Sequence, residues 1–369
     1  MKKFYQNHLK IFQKVLADLG IAPGEIRLDK TKKYNFNVYV IDIQNGFMSK
    51  GECGVLGSDE LPTLIISYLD NMIKSAKTMN EKGYQINLKF IFSRDYHHPE
   101  HQSFQSEGRP TGFPAHCQYG TFSSMLHHKI TDWIKANKEQ NIIVLFKAFH
   151  PHIESFSALP YTSHYDASKR QGTCYDGYKT EIDSGNKLAC GGGVYFPDMS
   201  IDDTLSANPF NLTKNDDIKL IGKDTKVEII NENAKITLEH LSQAKQYKPY
   251  EGDEEGRFEY SFVTGLAGDY CVRDTLINTI NGRVINGHEG ESCLIYDLTA
   301  YVILPVGDET YHYIMDEKGE YVDEPEPDKK YLIWVTPIKN MIMDYTNTSR
   351  NVCMKPALFM THQDVQKMV

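Results

Sequence analysis

Apolar positions along this chain alternate between helical spacing and short continuous runs. Tyr5, Leu9, Phe12, Leu16 and Leu19 recur at three-and-four spacing and end at Gly20, which predicts an amphipathic helix over 1–20. Asn37-Val38-Tyr39-Val40-Ile41-Asp42 is a near-continuous apolar run, the pattern of a strand buried on both faces. Helical spacing returns over 61–79 through Leu64, Tyr68, Met72 and Ala76, and a second run follows over 86–92. The cycle repeats with a helix over 125–137 and the run NIIVLF at 141–146, which ends at Lys147. From 158 to 233 the rhythm breaks: tyrosine, glycine and aspartate are frequent, and Gly191-Gly192-Gly193 marks a flexible tract. A helix over 234–247 restores it. Next come a short apolar run at Phe262 and Val263, the turn Gly265-Leu266-Ala267-Gly268, and a helical face through Val272, Thr275, Leu276 and Thr279. Two apolar runs, 294–306 and 331–335, flank an acidic, proline-bearing excursion at 316–330, and a last helix is expected over 337–345.

Strands separated by helices connect by right-handed crossovers, which gather the C-terminal strand ends on one edge of a sheet. Composition adds bounds rather than detail. With 369 residues, 40% of them apolar and 24% charged, the chain can bury a sizeable core. A net charge of −9 argues against a nucleic acid or an anionic membrane as partner. No apolar run is long enough to span a bilayer, and Asn7, His8, Lys10 and Lys14 interrupt any signal-like segment at the start. Seven scattered cysteines without a CxxC pair point to a reducing compartment, so a cytoplasmic protein is expected.

Three candidate groups stand at predicted strand ends: Asp42, Lys147 and Cys271. Each has a plain structural reading, as a turn-capping carboxylate, a snorkelling lysine and a small buried thiol. Together they supply a base, a cation and a nucleophile. Cys271 falls where helical periodicity begins, so unpaired N–H groups and the helix dipole should lower its pKa. Asp42 could take the thiol proton and pass it to a leaving amine, with the N–H groups of Ala267 and Cys271 as oxyanion donors. That is acyl transfer from an amide through a thioester. After the run at 86–92, Asp95, His97, His98 and His101 crowd one loop, and His116 follows. Asp95 and His97 alternate, so an extended segment turns both to one side. Two histidines and a carboxylate suit a catalytic first-row divalent metal, against the alternative of a polar surface loop.

Five stretches, VIDIQNGF, SRDYHHPEHQSF, GFPAHC, FKAFHPHIESFSAL and VTGLAGDYCVRDT, resemble in order those of the nicotinamidase/pyrazinamidase group of isochorismatase-like cysteine hydrolases. The resemblance covers residues 36–157 and 234–300. It implies an α/β three-layer sandwich, a mostly parallel sheet flanked by helices, with a long insertion. The core would be 36–157 and 234–369, the N-terminal helical extension 1–35, and the inserted subdomain or elaborated loop 158–233. It also implies a triad of Asp42, Lys147 and Cys271, and metal ligands Asp95, His97 and His116, with His101 either a ligand or a neighbour. Phe47 and Phe113 would line the substrate pocket, and the Leu266-Ala267 peptide would be cis. The implied cofactor is a divalent metal, zinc foremost, with iron or manganese as alternatives. The implied reaction is hydrolysis of nicotinamide to nicotinate and ammonia in NAD salvage. A related small amide or carbamoyl substrate, or a catalytically silent binding role, is the alternative, and homo-oligomer formation is left open. Two departures stand out: Gly46 replaces an acidic residue, and His150 interrupts an acidic loop.

Overall fold

The computed structural model describes residues 2–55, 57–99, 101, 103–106, 112–148, 155–161, 191–209, 244–249, 256–302 and 335–367, with short strand pieces at 218–219, 228–229, 304–305, 314–315, 321–322 and 332–333. The first strand, β1 (Lys33–Ile41), is buried from Tyr34 onward, its two asparagines Asn35 and Asn37 included, as its near-continuous apolar run requires. β2 (Gln85–Asp95) and β3 (Asn141–Lys147) follow, with α2 (Leu61–Glu81) and α3 (His128–Ala136) as the connecting helices. The sheet has eight strands, in the order β8-β7-β6-β1-β2-β3-β4-β5. The later members are β4 (Val194–Tyr195), β5 (Lys245–Gln246), β6 (Arg257–Gly265), β7 (Gly290–Thr299) and β8 (Leu358–Met360). Pairing is parallel from β8 to β3, and antiparallel only where β4 and β5 are added. This is a mostly parallel α/β sheet flanked by helices.

Alternation along the strands sends side chains to two cores. Phe36, Val38 and Val40 join Ile65, Leu69 and Trp133 beneath α2 and α3. Tyr39, Ile41, Val263 and Leu294 face the other layer, made by α1 (Lys2–Asp18), α5 (Arg273–Ile285) and α6 (Val335–Cys353). In that layer Phe12 of α1 stacks on Tyr296 of β7 at 4.6 Å, so the N-terminal helix docks on the sheet. Among the described residues, no helix is long and apolar enough to cross a membrane.

Several elements differ from their sequence reading. The helix expected over 125–137 starts three residues later, because Leu126 bridges to Gln44 and His127 caps α3 by accepting from Lys129 N. Of the helix expected over 234–247, residues 234–243 lie outside the described residues, and Lys245–Gln246 is a strand paired with β4. The helix at 337–345 runs longer, and it is not the last: β8 and α7 (His362–Gln366) follow, the latter opened by a Thr361/Asp364 capping box. Three apolar residues, Leu358-Phe359-Met360, are too few to show a period. The range read as an insertion also contributes to the sheet. Val194 pairs with Phe146 of β3, and Gly193 N donates to Ala158 O at 2.9 Å. A short helix, α4 (Ile201–Thr204), follows and is capped by Ser200.

Candidate active site

The ends of β1, β2 and β3 lie side by side: Ile41 is opposite Ser93, and Asp95 opposite Lys147. Asp42 leaves β1 with φ +51°, the left-handed region that few residues other than glycine adopt. Cys117, next to His116, and Ala148, next to Lys147, do the same at +46° and +47°. Strained backbone gathered at one sheet edge points to a working site.

Lys147 Nζ is fully buried and lies 2.7 Å from both Asp42 Oδ2 and Asp95 Oδ1, with Phe156 O accepting from it at 3.0 Å. Ser93 Oγ donates to Asp42 Oδ1 at 2.7 Å. Gln44 fixes the strand end beside them. Its Nε2 donates to the carbonyls of Asp95 and Ser124, and its Oε1 accepts from Asp95 N. Cys271 Sγ meets this group, lying within 4.8 Å of carboxylate oxygens of Asp42 and Asp95.

Cys271 sits in a π-helical turn, Gly268–Val272, that feeds α5. The turn is tied to the segment after β7: Gly268 N donates to Ala300 O at 2.7 Å, and Val302 N to Asp269 Oδ1 at 3.1 Å. Gly268 has to lack a side chain, because a Cβ there would overlap the Tyr301 ring. The Leu266-Ala267 peptide is cis. Among the described residues, the Ala267 N–H makes no backbone hydrogen bond, while its carbonyl accepts from Tyr270 and Val272.

The electrostatics correct one expectation. Burial pushes the Cys271 thiol well above its ordinary pKa; Lys147 opposes this, and Asp42 and Asp95 add to it. The helix start therefore does not leave a thiolate at rest. Asp42 is raised to about 6, by burial first, against the pull of Lys147. Burial also works on Asp95, but Lys147, His97 and His116 outweigh it and hold its carboxyl well below the usual range. Lys147 remains charged, since the two carboxylates overcome its burial.

Beside the triad lies a second group: one ligand atom each from Asp95, His97 and His116, all within 4.8 Å of one another and all on buried residues. His116 Nδ1 is 2.6 Å from Pro114 O, so it donates there and leaves Nε2 as the lone-pair nitrogen. Burial lowers His116 to about 4, so its imidazole is neutral at pH 7. A carboxylate and two imidazoles in this grouping fit one divalent ion. His101 stands next to the group, not in it: its ring is 4.5 Å from that of His97, and Nδ1 is 2.7 Å from Ser103 Oγ.

Phe47 and Phe113 both flank His116, with ring centroids at 5.3 and 6.2 Å. Phe113 also packs edge-on to Tyr270 and Phe156, at 5.8 and 6.1 Å. Tyr270, Phe156, Phe104, Gln44 and Ser93 are the residues to which sequence reasoning gave no role. All five lie inside the motif stretches, yet an aromatic in a loop reads as packing until its neighbours are known. Gly46 has a local cause, since a Cβ there would lie 2.8 Å from Cys117 Sγ. His150 lies outside the described residues.

No protein-family model matches the chain. A nicotinamidase of Acinetobacter baylyi is 26% identical over 171 residues, spanning 42% of this chain and 67% of its own length. The chain is therefore similar in sequence to a nicotinamidase, as its ordered motifs are. Among solved structures, a nicotinamidase/pyrazinamidase of Acinetobacter baumannii aligns over 90% of this chain and 98% of its own, at 13% identity and a TM-score of 0.42. The yeast nicotinamidase bound to the inhibitor nicotinaldehyde aligns over 88% and 99%, at 15% identity and a TM-score of 0.40. The pyrazinamidase of Pyrococcus horikoshii in complex with zinc aligns over 88% and 98%, at 14% identity and a TM-score of 0.37. At TM-scores below 0.5 these likenesses add nothing to the sequence match.

Proposed function

We propose that this protein is a metal-dependent amidohydrolase that converts nicotinamide to nicotinate and ammonia through a thioester on Cys271. The observation that carries the reading is the meeting of Cys271 Sγ, the Asp42 carboxylate and the Lys147 ammonium beside the Asp95–His97–His116 group. The similarity to the A. baylyi nicotinamidase supports the substrate class.

In this reading the thiol rests protonated and Asp42 is the base. As Cys271 Sγ attacks the amide carbon, Asp42 accepts the thiol proton, so charge appears on sulfur only while the C–S bond forms. The Ala267 and Cys271 N–H groups receive the oxygen of the tetrahedral intermediate. Asp42 then returns the proton to the departing nitrogen, and ammonia leaves. A water enters and its oxygen bonds to the acyl carbon as Asp42 takes one of its protons. The thioester C–S bond breaks, Asp42 returns that proton to Cys271, and nicotinic acid departs and ionises to nicotinate. Lys147 holds Asp42 in place and keeps it ionised. Asp95, His97 and His116 would hold a divalent ion, which supplies an acceptor for the lone pair of the pyridine nitrogen. Phe47 and Phe113 offer faces for a flat ring, and such positioning contributes most at the attack step.

Purified protein should release ammonia from nicotinamide, and benzamide, which has no ring nitrogen, should be a far poorer substrate. Equal specificity constants for the two would replace this reading with a general small-amide hydrolase. No ammonia from any small amide, in protein that holds metal, would favour a binding role.

A further inference from the structure

We propose that Arg94 is a positioning residue of the metal group, and that it acts by locking the segment Thr204–Ala207 against the two stretches of backbone that carry Asp95, His97 and His116. The inference rests on the metal-dependent reading above.

Arg94 precedes Asp95 on β2, yet its side chain is fully buried on the far side of the strand from the ligand. Its Nη1 donates to Thr204 O and Ser206 O, both at 2.9 Å, and its Nη2 to Ser124 Oγ at 3.2 Å. The guanidinium lies over the rings of Tyr96 and Phe146, at 5.1 and 5.2 Å. Among the described residues it pairs with no carboxylate, and its Nε has no hydrogen-bond partner. A buried cation without an anion, with one donor unpaired, is a poor device for stability alone. Its value lies in what it joins. The turn Thr121–Ser124 follows the His116 loop, Thr204–Ser206 lies in the range read as an insertion, and Arg94 itself is the residue before a ligand.

Tyr96 makes the second half of the clamp. Its hydroxyl donates to Ala207 O at 2.9 Å and accepts from Gly120 N at 3.1 Å. Gly120 N is also 3.1 Å from Ala207 O. Between these anchors the ligand stretches pair directly, with His97 N donating to Cys117 O at 3.0 Å and Tyr119 N to His97 O at 2.9 Å. The spacing between the strand end and the His116 loop is thus set from behind by Arg94, Tyr96 and the Thr204–Ala207 segment. Part of the inserted range belongs to the support of the site.

The test is loss of zinc from the folded protein to a chromogenic chelator, with the melting temperature followed in parallel. Arg94→Lys keeps the charge but cannot reach both carbonyls and Ser124 at once. It should release zinc at least about tenfold faster than wild type, the effect expected when support behind metal ligands is removed. It should also shift the visible spectrum of the cobalt-loaded protein. Tyr96→Phe should do both in smaller measure, and it decides the matter if Arg94→Lys does not fold. Variants that melt lower but match wild type in zinc release and cobalt spectrum would overturn the positioning role and leave the metal site standing. A wild-type protein that takes up no zinc or cobalt would overturn both.

Discussion

Asp42, Lys147 and Cys271 come from three elements far apart in sequence, whereas Asp95, His97 and His116 come from one strand end and the loop that follows it. The first group exists only if β6, β1, β2 and β3 pair in that order and in register, since no local segment contains two of its members. The second depends on short-range backbone pairing between residues 97 and 119. They differ in charge as well. The triad holds a charged network with a base near neutrality, while His116 is a neutral imidazole kept from protonation by burial. Lys147, bonded to a carboxylate on each side, joins the two. In the proposed reaction, charge moves in the half that the fold assembles and stays fixed in the half that the loop assembles.

Substitutions on the two sides should separate them. Cys271→Ala should lower kcat by about 10⁴-fold or more, the scale seen when a covalent nucleophile is lost, while metal content stays at the wild-type level by elemental analysis. Metal lost together with activity would show that the halves are not separable in this way. Lys147→Met should damage both halves, because it leaves two buried carboxylates facing each other. Loss of one partner from a buried ion pair costs about 3–5 kcal/mol, visible as a lower melting temperature along with lost activity. His97→Ala should remove bound metal but leave the rate of Cys271 alkylation within about twofold of wild type, since no step at the thiol passes through the imidazole.

The two halves are legible in the sequence to different degrees, for physical reasons. The metal group shows itself through density, four metal-capable side chains close after one apolar run. The triad is legible only as three strand ends, because an apolar run ending in a polar residue marks an edge but not its neighbours. What stays hidden is set by contact. Gln44 holds Asp95 through backbone groups, and any amide side chain in a loop looks the same before folding. Strand β4 is two residues long, too short for any period to show. The resting state of Cys271 runs against the sequence expectation because a helix start is visible in sequence and burial beside two carboxylates is not.

Smaller effects sharpen the contrast. Activity should fall as pH drops through about 6, where Asp42 takes a proton and ceases to be a base. Below that point kcat/KM should fall by about tenfold per pH unit. The limb should be unchanged in Phe113→Ala, which removes a ring packed against His116, Tyr270 and Phe156. That variant should lose about tenfold in kcat/KM, the worth of one aromatic contact, with metal content unaltered. An acid limb displaced in Phe113→Ala would mean that the base responds to the pocket wall.

Covalent catalysis at Cys271 is the central claim, and rapid acid quench of the wild-type protein with nicotinamide, followed by peptide mass spectrometry, tests it most directly. The predicted result is a nicotinoyl thioester on the Cys271 peptide during turnover, absent from Cys271→Ala. An acyl group on Cys117 instead, or full turnover with Cys271 never acylated and still fast in Cys271→Ala, would contradict it.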